Sequence, residues 1–337
     1  MRVDVRWAML GLLLVSCDGE IRRGHGERIA DASGAEHRAF DLARLESGRQ
    51  PDGAATSCPI FPADNAWNTD ISGLKVHASS QSFIASIGAG ESLHADFGTV
   101  YEGAPNGIPY VVVGASQAKV PITFIDDGAE ESDPGPYPIP LDAPIEGGPD
   151  GDGDRHVIAV DMESCVLWEL ARGFRKGDGW EAAYGAKFNL RSNALRPIGW
   201  TSADAAGLPI FPGLVRYDEV KAGAIRHAIR FTVNLSQKAY VLPATHYASS
   251  STDPNRPPMG LRLRLKASYN ISGFSKDNQV ILTAFKKYGI IVADNGSDWF
   301  FSGAPDSRWN DEDLTKLSQL KGSDFEVVDS GPIKTSY

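Results

Sequence analysis

The chain has 337 residues, 42% of them apolar, and its 43 acidic against 33 basic side chains leave a formal net charge of -10. That balance excludes a general electrostatic attraction to nucleic acid, which needs a basic face to displace counterions. Pro and Gly are scattered evenly from Cys58 onward, so no linker divides that part of the chain, and its length is within the range of one β-rich domain.

The first element is an export signal. Arg2 and Arg6 precede the apolar run from Trp7 to Val15, which ends at Ser16-Cys17. The run falls well short of the ~20 residues that span a bilayer. A basic start, a short apolar stretch and a cysteine match a lipoprotein signal over residues 1–17, with Cys17 as the lipidated residue. The expectation is a cell-envelope protein held at a membrane through its lipid anchor. Residues 18–56, rich in Gly, Arg, Glu, Asp and Ala without apolar periodicity, read as a flexible tether. The globular part is expected over 57–330, with 331–337 as a tail.

Removing Cys17 from the three cysteines leaves Cys58 and Cys165, an even pair in an oxidising compartment. A disulfide between them is one reading; two buried thiols, which behave as small hydrophobes, is the other.

Strands are expected at Tyr110 to Val113, Val120 to Ile125, His156 to Val160, Val166 to Leu170, His227 to Val233, Ala239 to Leu242, Leu261 to Leu265 and Ile290 to Ala293. Each is short, rich in β-branched or aromatic residues, and bounded by turn formers. Helices are expected at Gln81 to Ile87, Asp277 to Tyr288 and Asp311 to Leu320. The fold class is therefore mostly β or α+β, a single β-rich domain with a few short helices.

Candidate chemistry gathers in a few segments. Asp150, Asp152 and Asp154 alternate in the Gly-rich run 147–156, a spacing that lets carboxylates converge on calcium. Arg155 stands where a calcium loop requires Gly, so a polar surface turn is the competing reading. Residues 199–219, with Trp200, Asp204 and Asp218, are too apolar for an ordinary surface loop and are expected to cross the interior or floor a cleft. Aromatic rings beside carboxylates suit a sugar site, since the ring stacks on a pyranose face while the acid binds hydroxyls or moves protons. His227 and Arg230 on one strand, with His246 and Tyr247 after the next, could instead serve β-elimination from a uronate or, with Asp204, hold a metal. Asn295-Gly296, between Asp294 and Trp299, is a strong hairpin signal. Arg226, Arg230, Arg256, Arg262, Arg264 and Lys266 form a local basic run, read either as a solvated strand face or as a groove for an anionic polymer such as a uronate-containing polysaccharide.

Several of these stretches carry a resemblance. Cys58 to Asn68, Asp154 to Ile158, Gly199 to Val220, Gly223 to Phe231 and Tyr288 to Gly296 resemble a family of exported bacterial proteins of uncharacterised function. The resemblance implies a single exported domain and transfers no catalytic residue. From the residues themselves, the leading expectation is an enzyme acting on extracellular or cell-wall polysaccharide. In its simplest form it is a glycoside hydrolase that draws on Asp96, Asp204, Asp218 and Asp294, with Trp200 and Trp299 as sugar platforms. A lyase using His227, Arg230, His246 and Tyr247, or a non-catalytic glycan-binding lipoprotein, are the alternatives.

Overall fold

The computed structural model describes residues 58–337. The lipidation at Cys17, the signal over 1–17 and the tether over 18–56 lie outside the described residues. Among the described residues no helix is long and apolar enough to cross a membrane.

The largest sheet has six strands in the order β1, β14, β11, β13, β12, β15. These are β1 (His94–Asp96), β11 (Ile229–Val233), β12 (Arg262–Leu265), β13 (Ile290–Asn295), β14 (Phe300–Ser302) and β15 (Phe325–Val327). β11 at its centre runs parallel to β13 and antiparallel to β14. One face is covered by the helix α3 (Lys276–Lys287), whose Ile281, Leu282 and Phe285 are buried. Ser275 caps this helix by accepting the Asn278 N–H, and Lys286 and Lys287 sit in its last turn, where cations offset the helix dipole. Phe285 meets Phe301 edge to face at 5.1 Å, which places α3 on the Phe231 and Phe301 side of the sheet. A further helix, α1 (Ser80–Ile87), packs beside β15.

A second sheet orders β10 (Tyr184–Asn189), β7 (Val166–Ala171), β6 (Val157–Asp161) and β4 (Val111–Val113). Alternation splits β6 and β7 between two cores. Ile158, Val160 and Leu167 join the main core with the six-stranded sheet, while Val157, Ala159, Trp168 and Leu170 join a smaller one. That smaller core is closed by β5 (Ile122–Phe124), β8 (Phe174–Lys176) and β9 (Gly179–Ala182), with Tyr137 and Trp180 fully buried. A two-stranded ribbon, β2 (Val100–Tyr101) with β3 (Ala104–Pro105), and the short helices α2 (Tyr217–Lys221) and α4 (Asp311–Leu314) complete the β-rich fold. Cys58 and Cys165 form a disulfide across 107 residues, between the start of the described chain and the β6–β7 turn.

The structure departs from the sequence reading in four places. Ala239 to Leu242 is no strand: Tyr240 makes only isolated bridges to Met259 and Lys334. The helix expected over Asp311 to Leu320 stops as α4 at Leu314 and tightens into a 3-10 turn over Thr315–Gln319. Asn295-Gly296 closes no hairpin, because β13 and β14 lie on opposite sides of β11. Residues 331–337 are tied down, with Tyr240 and Lys334 exchanging both backbone hydrogen bonds and the Tyr337 hydroxyl accepting the Tyr247 N–H.

A carboxylate cluster across the central sheet

The site is built on the face of the six-stranded sheet turned away from α3. Strand pairing places Asp96 of β1 opposite Ser302 of β14. The antiparallel register of Phe231 with Phe301 carries that row on to Arg230 of β11. The neighbouring row runs through His94, Phe300, Thr232 and Asp294. Asp294 belongs to it only because of a β-bulge. Phe231 pairs with Val292 but Thr232 pairs with Asp294, so Ala293 is the inserted residue. Side chains alternate along a strand, and without the insertion Asp294 would face α3.

Arg230 is the hub. Its guanidinium binds the Asp204 carboxylate through two bonds, Nε to Oδ2 at 3.0 Å and Nη2 to Oδ1 at 2.8 Å, and donates from Nη1 to the Ser302 hydroxyl at 2.5 Å. Asp204 is fully buried and Arg230 nearly so. Asp204 comes from the long buried segment over 201–216, as its apolar content indicated. That segment is pinned from both sheets. Ala206 donates its N–H to Ala293 of β13, and the Ile210 and Phe211 N–H groups donate to the Glu169 carboxylate of β7 at 2.9 to 3.0 Å. Gly207 sits at φ 72° with the Trp200 carbonyl 2.6 Å from where a Cβ would be, so only glycine makes this turn.

The electrostatics push these groups apart. Burial, together with the Asp204 carboxylate and a hydrogen bond to it, raises the partly buried Asp294 to about 8. Burial raises the Glu169 carboxyl to about 7 despite its two backbone donors. His156, just before β6, is buried, and both ring nitrogens face acceptors: Nδ1 faces Glu146 at 2.6 Å and Nε2 the Ala203 carbonyl at 3.0 Å. Burial opposes its charge, but the Glu146 carboxylate outweighs burial and lifts His156 to about 9. Burial likewise pushes Glu146 up, yet His156 and Arg230 hold it below its ordinary range, and its side chain keeps 25% of its surface exposed. Asp96, exposed at the end of the first row, is raised by desolvation, with His94 opposing. Beside it His94 and Phe300 stack at 4.0 Å, an aromatic floor next to the acids.

Of the residues singled out from sequence, the fold brings Asp204, Asp294 and Arg230 together and sets Asp96 at the end of the Arg230 row. It places Asp218 and His227 elsewhere. His227 is buried against Glu219 at 3.2 Å and Arg216 at 3.0 Å, and donates from Nδ1 to the Ala228 carbonyl; Asp218 is exposed and paired with Arg308 at 2.9 Å. In that cluster Arg216 and His227 overcome burial and hold Glu219 at about 2. His246 donates to the Ala205 carbonyl at 2.8 Å and lies nearly parallel to Tyr247 and Tyr337, which stack at 4.4 Å. Trp200 is half-buried with the Arg196 guanidinium over its ring.

Two roles expected from sequence are corrected. Trp299 is no sugar platform: it is fully buried and donates its indole N–H to the Gly88 carbonyl. Asp150, Asp152 and Asp154 form no calcium loop. All three are exposed, and among the described residues no group of three His, Cys, Asp or Glu is gathered to hold a metal. The loop already encloses a cation, because the buried Arg155 guanidinium donates to the carbonyls of Pro149, Gly151 and Gly173. Most of the basic run is also spent internally, Arg226 being exposed and without an ion pair among the described residues. Arg262 donates to the Tyr288, Ala66 and Thr69 carbonyls, Arg264 pairs with Glu326 at 2.8 Å, and Lys266 donates to the Ser323 carbonyl.

Glu146, His156, Glu169, His94, Phe300 and Ser302 were not singled out. A lone glutamate inside Val166-Leu-Trp-Glu-Leu170 is the one local signal among them, since a charge in a buried strand demands partners. Compared with known protein families, with curated proteins and with solved structures, the chain matches none of them.

Proposed function

We propose that the protein is an enzyme of the cell envelope that hydrolyses polysaccharide by acid–base chemistry at the Arg230 cluster. The observation that carries this reading is the pair of opposed carboxyls around Arg230 and His156. Asp294 is raised to about 8 and so keeps its proton at neutral pH, while Glu146 is lowered and stays ionised. Two carboxyls driven apart in this way are what a glycosidase uses, one as general acid and the other as nucleophile or base. Asp294 supplies the proton to the leaving oxygen and Glu146, held by His156, is the ionised partner of the pair. Asp204 and Arg230 do not touch substrate; burial and the Asp204 carboxylate hold the proton on Asp294 against the opposing charge of Arg230, which in turn keeps Asp204 ionised and in place. Asp96 stands three strand spacings from Asp294, roughly 14 Å between backbones, wider than a working carboxyl pair and better suited to binding sugar hydroxyls. The His94 and Phe300 rings take the stacking role.

The lyase reading loses support because Arg230, which would neutralise a uronate carboxylate, is fully engaged by Asp204 and Ser302. The test is incubation of the purified protein with neutral and uronate-rich polysaccharides, following reducing ends and the ultraviolet absorbance of unsaturated ends. Reducing ends without absorbance, lost in Asp294→Asn, support the hydrolase. Absorbance would indicate a lyase, and glycan retardation without turnover would indicate a binding protein.

A further inference from the structure

On the reverse side of the six-stranded sheet, a cavity of about 360 Å³ lies between one flank of α3 and the turn that follows α2. α3 lines it from end to end through Lys276, Gln279, Val280, Thr283 and Lys287, positions that recur at helical spacing along one stripe. At 1.5 Å per residue the two lysines stand roughly 16 Å apart along the helix axis. Arg226 comes from the facing turn. The cavity therefore concentrates three cations on a chain whose net charge is -10. Arg226 and Lys276 make no ion pair among the described residues, and Lys287, which lies 5.3 Å over the Tyr288 ring, has as its ion pair a long contact with Asp70 at 3.8 Å, both side chains being about half exposed.

The remaining polar groups narrow the ligand. The Thr283 hydroxyl gives its proton to the Gln279 carbonyl at 2.6 Å, and the Gln279 amide nitrogen donates to the Phe274 carbonyl at 2.7 Å. What these side chains still offer are the Thr283 oxygen and the Gln279 Oε1 as acceptors, with the second N–H of the Gln279 amide as a donor. Cations together with acceptors match a ligand that carries both anionic groups and hydroxyl donors. Ile225, Val280 and the edge of Tyr288 supply an apolar wall.

We infer that this cavity is a second binding site, separate from the Arg230 cluster, for a short stretch of acidic polysaccharide whose uronate carboxylates meet Arg226, Lys276 and Lys287. The saccharide part of this assignment rests on the polysaccharide reading above; the anionic part rests on the cavity alone. A site of this kind would hold an acidic chain to the protein while the opposite face works on it.

The test is calorimetric titration of the full chain with trigalacturonate, its fully methyl-esterified counterpart and inorganic phosphate. Binding of the free acid is expected, about tenfold or more tighter than the uncharged ester, weakening as salt rises. Arg226→Glu and Lys276→Glu each lower the affinity by a similar factor; both side chains are exposed, and an unchanged melting temperature shows that the fold survives. Asp294→Asn leaves this binding intact, so a failed hydrolase assay and a failed binding assay are told apart. Equal binding of the ester, equal binding of phosphate, insensitivity to both charge reversals, or no binding of trigalacturonate overturns the assignment.

Discussion

Thr232 of β11 is paired with Asp294 of β13, one residue further along than the Phe231 to Val292 pairing would carry the register. The inserted Ala293 turns Asp294 onto the face that holds Arg230, where a buried carboxyl next to the Asp204 carboxylate keeps its proton. A single backbone irregularity thus converts a core strand into the carrier of an acid.

Asp294→Asn keeps the shape of the side chain and removes its proton chemistry. Turnover of a responsive glycan should fall about 10²- to 10⁴-fold, with binding retained, in steady-state kinetics alongside a binding isotherm. Full activity in this variant would remove Asp294 from the acid role.

Stability should decline as pH rises from about 5 to 9, followed by thermal unfolding. Asp294 moves from 3.8 unfolded to about 8 folded and Glu169 from 4.5 to about 7, so across those intervals the native state holds protons that the unfolded chain has released. His156, raised from 6.5 to about 9, adds stability that is complete below 6.5 and lost through 9. Glu219, lowered from 4.5 to about 2, acts in the other direction, its stability being lost only as pH falls from 4.5 towards 2. In Asp294→Asn the slope between about pH 4 and 8 should flatten.

Asp204→Ala leaves the Arg230 guanidinium buried without its counter-charge. Breaking a buried ion pair from one side costs about 3–5 kcal/mol, so denaturant unfolding should show a large loss. Ser302→Ala, which removes one neutral partner of the same guanidinium, should cost only about 1–3 kcal/mol. Equal losses would mean that the charge pairing contributes nothing special here.

Calcium should leave the melting temperature unchanged, because the carbonyls of the Gly-rich loop are already occupied by Arg155. Arg155→Ala should loosen that loop, read as faster amide exchange over 147–155. A calcium-dependent rise in melting temperature in the unmodified protein would overturn this account of the loop.

Removing the disulfide through paired Cys58→Ser and Cys165→Ser substitutions opens a loop of 107 residues. The chain-entropy relation puts the loss near 4–5 kcal/mol, measurable by denaturant unfolding of the variant against the oxidised protein.

The individual strands were legible because each is a local run of β-branched or aromatic residues between turn formers: His156 to Val160 became β6 at Val157–Asp161, and Leu261 to Leu265 became β12 at Arg262–Leu265. Their neighbours were not legible. Asn295-Gly296 has the chemistry of a tight hairpin, yet β14 crosses to the far side of β11, because pairing is decided by which faces bury together and not by the turn alone. Part of the site could be read as well. Asp204 stood out as an acid in an apolar segment, Arg230 as a cation on an expected strand and Asp294 as an acid where an expected strand ends in turn residues, whereas Glu146 and His156 sit in or beside a Gly-rich loop that looked like a surface turn.

By itself the amino-acid sequence determined the β-rich class, the presence of the α3 helix, the buried character of residues 201–216 and the two cysteines that could pair, all properties of local pattern and composition. Only the tertiary structure decided that Asp204 meets Arg230, that Asp294 faces the cluster and that Arg155 fills its own loop. The first joins residues 26 apart, the second depends on a one-residue register shift, and the third closes a loop on its own arginine and on the Gly173 carbonyl 18 residues away; the free energy that selects them comes from burying charges with partners, which no local pattern encodes.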